Sequence, residues 1–132
     1  MSSPLSSLKI LDFSTLLPGP FATMMLADMG ADILWVDAVK GNHLNQENAR
    51  SVSMREYLGR SKRSIALDLK RPEAITIVKR LVNEYDIIVE QFRPGVMERL
   101  GLDYKTICKI QPRIIYCSIT GYGQTGPYKD RA

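Results

Sequence analysis

Short apolar runs alternate along this chain with longer stretches in which apolar residues recur every three or four positions. The first run, LKILDFS at residues 8–14, predicts a buried strand. LLPGP punctuates the chain, and FATMMLADMG predicts a helix with Phe21, Met24, Met25 and Met29 near helical spacing. Pro20 suits its first turn and Gly30 its stop. ADILWVD then predicts a second strand through Ile33, Leu34, Trp35 and Val36. Strand, tight turn, helix and strand in so short a span make a βαβ unit, with parallel pairing and a right-handed crossover.

Residues 39–61 break the pattern. NHLNQENARS is polar and aperiodic and predicts a long exposed loop. The single histidine, His43, lies in it without a sequence partner for catalysis and reads as a surface residue. Order resumes at SKRSIALDLKRP, where Ile65, Leu67 and Leu69 alternate with Ser64, Ala66 and Asp68, a strand with one wetter face. Pro72 opens a helix whose stripe is Ile75, Val78, Leu81, Val82 and Tyr85, with Lys79, Arg80 and Glu84 opposite. IIVEQF is the next strand, RPG a turn, and VMERL a short helix ended by Gly101. Asp103 is placed to N-cap YKTICKI, Pro112 stops it, and RIIYCSIT is the last strand. The closing GYGQTGPYKDRA has the composition of a binding loop.

This order predicts an α/β fold, a doubly wound and mainly parallel sheet forming a Rossmann-like half-domain. In such sheets ligands bind outside the carboxyl ends of the strands. The segments there are STLLPGP, DAVKG, LKRP, QFRPG and TGYGQTGP. Most carry a basic group, a Gly–Pro turn or both, which points to an anionic ligand with apolar parts. The first turn lacks the GxGxxG glycines that admit a pyrophosphate, so Asp37, although it ends the second strand, does not make an NAD site.

Composition narrows the function further. The 132 residues carry a net charge of +4, too mild and too little interleaved with aromatics for a nucleic-acid surface. Two basic loci, Lys62, Arg63, Lys70 and Arg71 and then Arg93 and Arg99, suit a phosphorylated small molecule better. Cys108 and Cys117 sit in apolar surroundings and read as buried free thiols. No Cys/His cluster suggests a metal, no apolar stretch has the length of a membrane span, and the start has no signal-peptide core. A cytoplasmic protein is expected.

LKILDFSTLLPGPFATMMLADMGADILWVD, KRSIALDLK, EQFRPGVMERLGL and PRIIYCSITGYGQTGP, in that order, resemble the family III CoA-transferases and their relatives, the α-methylacyl-CoA racemases. The match covers nearly the whole chain. The resemblance implies that residues 1–132 form the N-terminal part of a large CoA-binding α/β domain, with the family's remaining domains absent. It implies coenzyme A or an acyl-CoA as substrate, with no bound prosthetic group, and an interlocked homodimer in the full-length protein.

The resemblance also implies site residues. Leu16 matches an apolar contact to adenine, Leu67 and Lys70 line the nucleotide end of CoA, and Phe92, Arg93 and Arg99 pack on the adenine and reach the phosphates. Many members carry a phosphate-binding arginine directly after the acid that ends the second strand. Ala38 stands there in this chain, and Lys40 is the candidate replacement. Gly121, Tyr122, Gly123 and Gln124 match the loop that shapes the backbone near the thioester. Asp68 and Glu90 read as structural.

The catalytic groups of both branches lie beyond the matched region, so no catalytic residue is assigned to this chain. LGRSKRS and KDRA favour the racemase branch, in which an acid–base pair exchanges the proton α to the thioester carbonyl. The alternatives are a CoA-transferase working through an aspartyl intermediate, and a non-catalytic CoA-binding module.

Overall fold

Lys9–Asp12 forms β1, and its burial pattern explains its place: Lys9 is exposed while Ile10, Leu11 and Asp12 are buried. A strand covered on both faces belongs at the centre of a parallel sheet. The computed structural model describes residues 3–39 and 49–131, with the side chains of 49–53 excepted. In chain order the elements are β1, α1 (Pro18–Asp28), β2 (Asp32–Asp37), α2 (Ala49–Leu58), β3 (Arg63–Ala66) and α3 (Pro72–Val82). Then come β4 (Ile87–Glu90), α4 (Val96–Arg99), α5 (Tyr104–Ile110) and β5 (Ile115–Ser118). The sheet order is β3-β2-β1-β4-β5, and every pairing is parallel. Leu11 stands opposite Leu34 on one side and Ile88 on the other.

Alternation along the central strands builds two cores. Leu11, Phe13, Leu34, Val36 and Ile88 face α3, α4 and α5 and join Val78, Val82, Met97, Leu102 and Ile107. Ile10, Ile33 and Val89 face the other way and meet Ala27 of α1 and Ala31 just after it. The doubly wound fold is therefore written in side-chain parity. The stripe predicted for α3 packs as expected, with Val78 and Val82 fully buried and Ile75 and Leu81 at the margin of the larger core. Asp103 caps α5, accepting from the Thr106 N–H and hydroxyl. Gly30, with φ +101°, makes the left-handed stop after α1.

The structure departs from the expected pattern in four places. The segment read as loop contains α2, whose residues lack an apolar period but whose end is held by tertiary contacts. Leu58 is buried, and Arg55 pairs with Asp37 and lies over the Trp35 ring at 5.3 Å. β3 stops at Ala66, so Leu67 and Leu69 reach the larger core from a loop rather than a strand. In α1 only Met24 of the four expected residues is buried, since close packing on the sheet is made by Gly19, Pro20, Thr23 and Ala27. Phe21, Met25 and Met29 are exposed. Cys117 is also exposed and Cys108 half-buried, because β5 is an edge strand and α5 is amphipathic.

Candidate functional site

The crossovers leave β1 toward β2 and β3 on one side, and the chain returns to β4 and β5 on the other. The switch point is thus the crevice between the carboxyl ends of β1 and β4. Protein atoms fill it. Gln91, directly after β4, accepts the Gly19 N–H at 2.9 Å. A β-carbon on Gly19 would stand 2.2 Å from Ser14 Cβ and 2.7 Å from Gln91 Oε1. Flanking Pro18 and Pro20 contribute no amide hydrogens. The first turn of α1 therefore lacks the open cradle of amides that holds a pyrophosphate in a dinucleotide fold.

Below this crevice lies a buried polar cluster. The Asp12 carboxylate is fully buried. Its Oδ1 accepts from the Ser14 N–H and hydroxyl, and its Oδ2 from the Thr23 hydroxyl and, at 3.3 Å, from Lys62 Nζ. Lys62 also donates to Thr23 Oγ1 at 2.7 Å and to the Pro20 carbonyl at 2.9 Å. Its ammonium sits 4.8 Å from the centre of the Trp35 ring. The indole N–H of Trp35 donates to the Ser14 carbonyl. Only 1% of the Lys62 side chain is exposed. Burial pulls its pKa below the ordinary lysine value, and the Asp12 carboxylate opposes that shift.

A cavity of about 480 Å³ opens where β4 and β5 end. Glu90, Arg93, Glu98, Tyr104, Tyr116 and Gln124 are among the residues that line it. The Phe92 N–H donates to Glu90, which fixes the turn of the FRPG loop. Tyr116 donates to the Leu102 carbonyl, and burial first, then nearby Glu90 and Asp103, push its phenol well above the usual range.

The sheet order sets the expected site residues along one edge. Leu67 and Lys70 follow β3, Ala38 follows β2, Leu16 follows β1, Phe92, Arg93 and Arg99 follow β4, and residues 121–124 follow β5. Arg93 and Gln124 meet at the same cavity. Leu16 is 83% exposed and held at φ +60°, a strained conformation for leucine. Lys70, Arg93 and Arg99 are exposed, and Phe92 is half-buried against the larger core. Gly121, Tyr122 and Gly123 are exposed in the closing loop, with no neighbour within 4 Å of a β-carbon built on either glycine. Lys40 and His43 lie outside the described residues.

The first expected basic locus does not exist as a patch. Lys62 is buried on Asp12, and Arg63 pairs with Asp32 at the amino end of the sheet. Lys70 and Arg71 alone remain at the carboxyl edge, Arg71 lying 3.7 Å from Asp68. Adjacent residues of a strand point to opposite faces, which is why neighbours in KRS part company. Among the described residues no group of three or more His, Cys, Asp or Glu is placed to hold a metal ion. No described helix is long and apolar enough to cross a membrane.

The sequence profile of CoA-transferase family III matches residues 5–132. The chain belongs to that family. A solved structure, that of a CAIB/BAIF family protein from Brucella suis, superposes with a TM-score of 0.91 at 36% identity, over 100% of this chain and 37% of that one. A succinate–glutarate CoA-transferase of Agrobacterium fabrum is 40% identical over 98% of this chain and 35% of its own length. The α-methylacyl-CoA racemase of Mus musculus is 37% identical over 92% of this chain and 29% of its own length. The chain thus spans about a third of the length of these relatives.

In this family III chain the buried Asp12–Thr23–Lys62 cluster is what pattern reading missed. The signal was a lone acid inside LKILDFS, between residues destined for the core. Its partner fifty residues later could not be paired with it without the sheet order.

Proposed function

We propose that this chain is the CoA-binding part of a family III CoA-transferase, an enzyme that moves CoA between carboxylic acids. The observation that carries this reading is the arrangement of the carboxyl edge. There the exposed cations Lys70, Arg93 and Arg99 follow β3 and β4 on either side of the apolar Leu16 tip. An adenine nucleotide with a phosphate tail needs that combination: guanidinium groups to stack and to pair with phosphate oxygens, and an apolar surface for the base. Leu67, Phe92 and residues 121–124 complete the edge, with Gln124 toward the acyl end. The catalytic carboxylate would lie outside these residues, so the chain alone binds without turnover.

Support for transfer over racemisation comes from the relatives, where the transferase of Agrobacterium fabrum is the more similar over more of the chain. The racemase reading keeps its own support in the mouse enzyme. Full-length protein separates the two. Transfer predicts labelled CoA moving from succinyl-CoA to glutarate, giving glutaryl-CoA and succinate, with no exchange at an α-carbon. Deuterium entering the α-position of a 2-methylacyl-CoA, without CoA transfer, would replace the transferase reading by the racemase. The binding reading is tested by calorimetry of the 132-residue chain with CoA. Absence of heat at millimolar ligand would remove both enzymes' shared premise.

A further inference from the structure

The loop from Ser14 to the start of α1 carries two apolar side chains in water, Leu16 at 83% and Leu17 at 52% exposure. Leu16 is in the left-handed region, which disfavours any residue with a β-carbon. Nothing in the loop's own sequence holds that shape. Its two ends, however, are tied from beneath. The Ser14 side is bound by Asp12 and by the Trp35 indole. The Pro20 side is bound by Lys62, and Thr23 Oγ1 links Lys62 to Asp12. Gln91 holds Gly19 between them.

A buried lysine–aspartate pair is a poor way to gain stability, because desolvation of two charges offsets their attraction. What such a pair supplies is a fixed geometry. We propose that Lys62 is a positioning residue for the ligand edge: its ammonium, joined to Asp12, Thr23 and the Pro20 carbonyl, presets the loop that presents Leu16. This rests on the CoA reading above. Lys62 itself is too buried to touch ligand, so it acts through the loop. A loop already in its bound shape spares the ligand the cost of ordering it.

The groups facing Lys62 are few. Asp12 comes from β1, Thr23 and the Pro20 carbonyl from α1, and Trp35 from β2. Arg55 of α2 lies on the Trp35 ring and is neutralised by Asp37. Asp12 and Lys62 are therefore the charged pair at the centre of the cluster. Losing one Lys62 proton would leave two N–H donors for three acceptors and remove the charge attraction to Asp12.

The test compares Lys62→Met, Thr23→Val and Thr23→Ser with the wild-type chain, using CoA as probe. Amide exchange of residues 14–20 and the Trp35 indole resonance report the loop, while calorimetry reports the ligand. Trp35 is the only tryptophan, so its signal is unambiguous. We expect Lys62→Met and Thr23→Val to remain folded, to exchange faster in this loop, and to bind CoA about tenfold more weakly, as when the competent loop falls to a tenth of the population. Thr23→Ser keeps the hydroxyl and should keep the affinity. Wild-type affinity should fall as pH rises through the lowered Lys62 pKa, and Lys62→Met should lack that limb.

If Lys62→Met fails to fold, Thr23→Val decides the matter. Wild-type binding with unchanged affinity in folded Thr23→Val overturns the positioning role and leaves the CoA reading standing. The same holds if the loop loosens while affinity stays. A wild-type chain that binds no CoA overturns the reading itself, and the positioning role with it.

Discussion

Gln91 and Gly19 meet across the crevice between β1 and β4, the Gln91 side-chain oxygen accepting the Gly19 N–H at 2.9 Å. The contact requires glycine for want of space: a β-carbon would overlap Ser14 and Gln91, and Ser14 is itself held by Asp12. Gly19→Ala must therefore displace a buried, hydrogen-bonded neighbour. Overpacking of this kind costs about 1–3 kcal/mol, and urea unfolding should show it as a lower midpoint with an unchanged slope. An unaltered midpoint would mean that the crevice is looser than the structure implies.

How much of this could be read from the pattern depends on how local the cause is. The α3 stripe, the Asp103 cap and the buried run of β2 are set by neighbours in sequence, and pattern reading finds them. The extent of β3 and the existence of α2 are set by partners far along the chain. α2 has no apolar period of its own, and Leu58, Arg55 and Trp35 hold its end. The edge where Leu16, Lys70, Arg93 and Gln124 lie is the carboxyl end of parallel strands, which the βαβ pattern foretells. The fate of Lys62 does not follow. A lysine beside Arg63 reads as surface until β1, α1 and β2 close over it.

Asp103 offers a local test. The Thr106 hydroxyl, and after it the Thr106 N–H, hold its carboxyl below the usual aspartate pKa. The unfolded chain therefore binds this proton at higher pH than the fold does. The cap's contribution is full above the ordinary aspartate pKa and disappears as pH falls through the lowered value. Asp103→Ala should cost about 0.5–2 kcal/mol at neutral pH, the range for a lost N-cap. The gap between variant and wild type in urea midpoint should close in acid. A gap independent of pH would show that the carboxylate's charge plays no part.

Cys117 and Cys108 should differ in reactivity. Cys117 is exposed on edge strand β5, and Cys108 is half-buried with its thiol turned toward the Lys105 carbonyl. A thiol reagent should consume Cys117 first in native protein, with Cys108 following more slowly. Mass spectrometry of a partly labelled sample identifies the site. Equal labelling at both positions would place α5 in an opened state on that timescale.

Lys62 gives a pH dependence of the same sign as that of Asp103, in the window below the ordinary lysine pKa rather than below that of aspartate. Burial lowers its pKa in the fold. Between that value and the ordinary lysine value the unfolded chain binds more protons, so stability rises with pH across the window. Below the folded pKa the penalty for burying the charge is fully present. Tyr85 and Tyr116, whose pKa values burial raises, act in the reverse sense at high pH. The difference between wild type and Lys62→Met isolates the lysine. That difference should shift in favour of wild type as pH rises, while CoA affinity moves the other way. Parallel movement of both would mean that the network serves only stability.

Arg99 is the sharpest test of the ligand edge. It is exposed at the end of α4, its guanidinium beside Gly95 of the FRPG turn, and it is not a wall of the cavity that Arg93 lines. Removing it should leave the fold intact, since no buried contact is lost. If it pairs with a CoA phosphate, Arg99→Ala should weaken binding by about 1–3 kcal/mol, the range for a hydrogen bond to a charged group. The loss should shrink for dephospho-CoA if the 3′-phosphate is the partner, and persist if the pyrophosphate is. An unchanged dissociation constant for both ligands would take Arg99 out of the site and leave Arg93 and Lys70 to meet the phosphates.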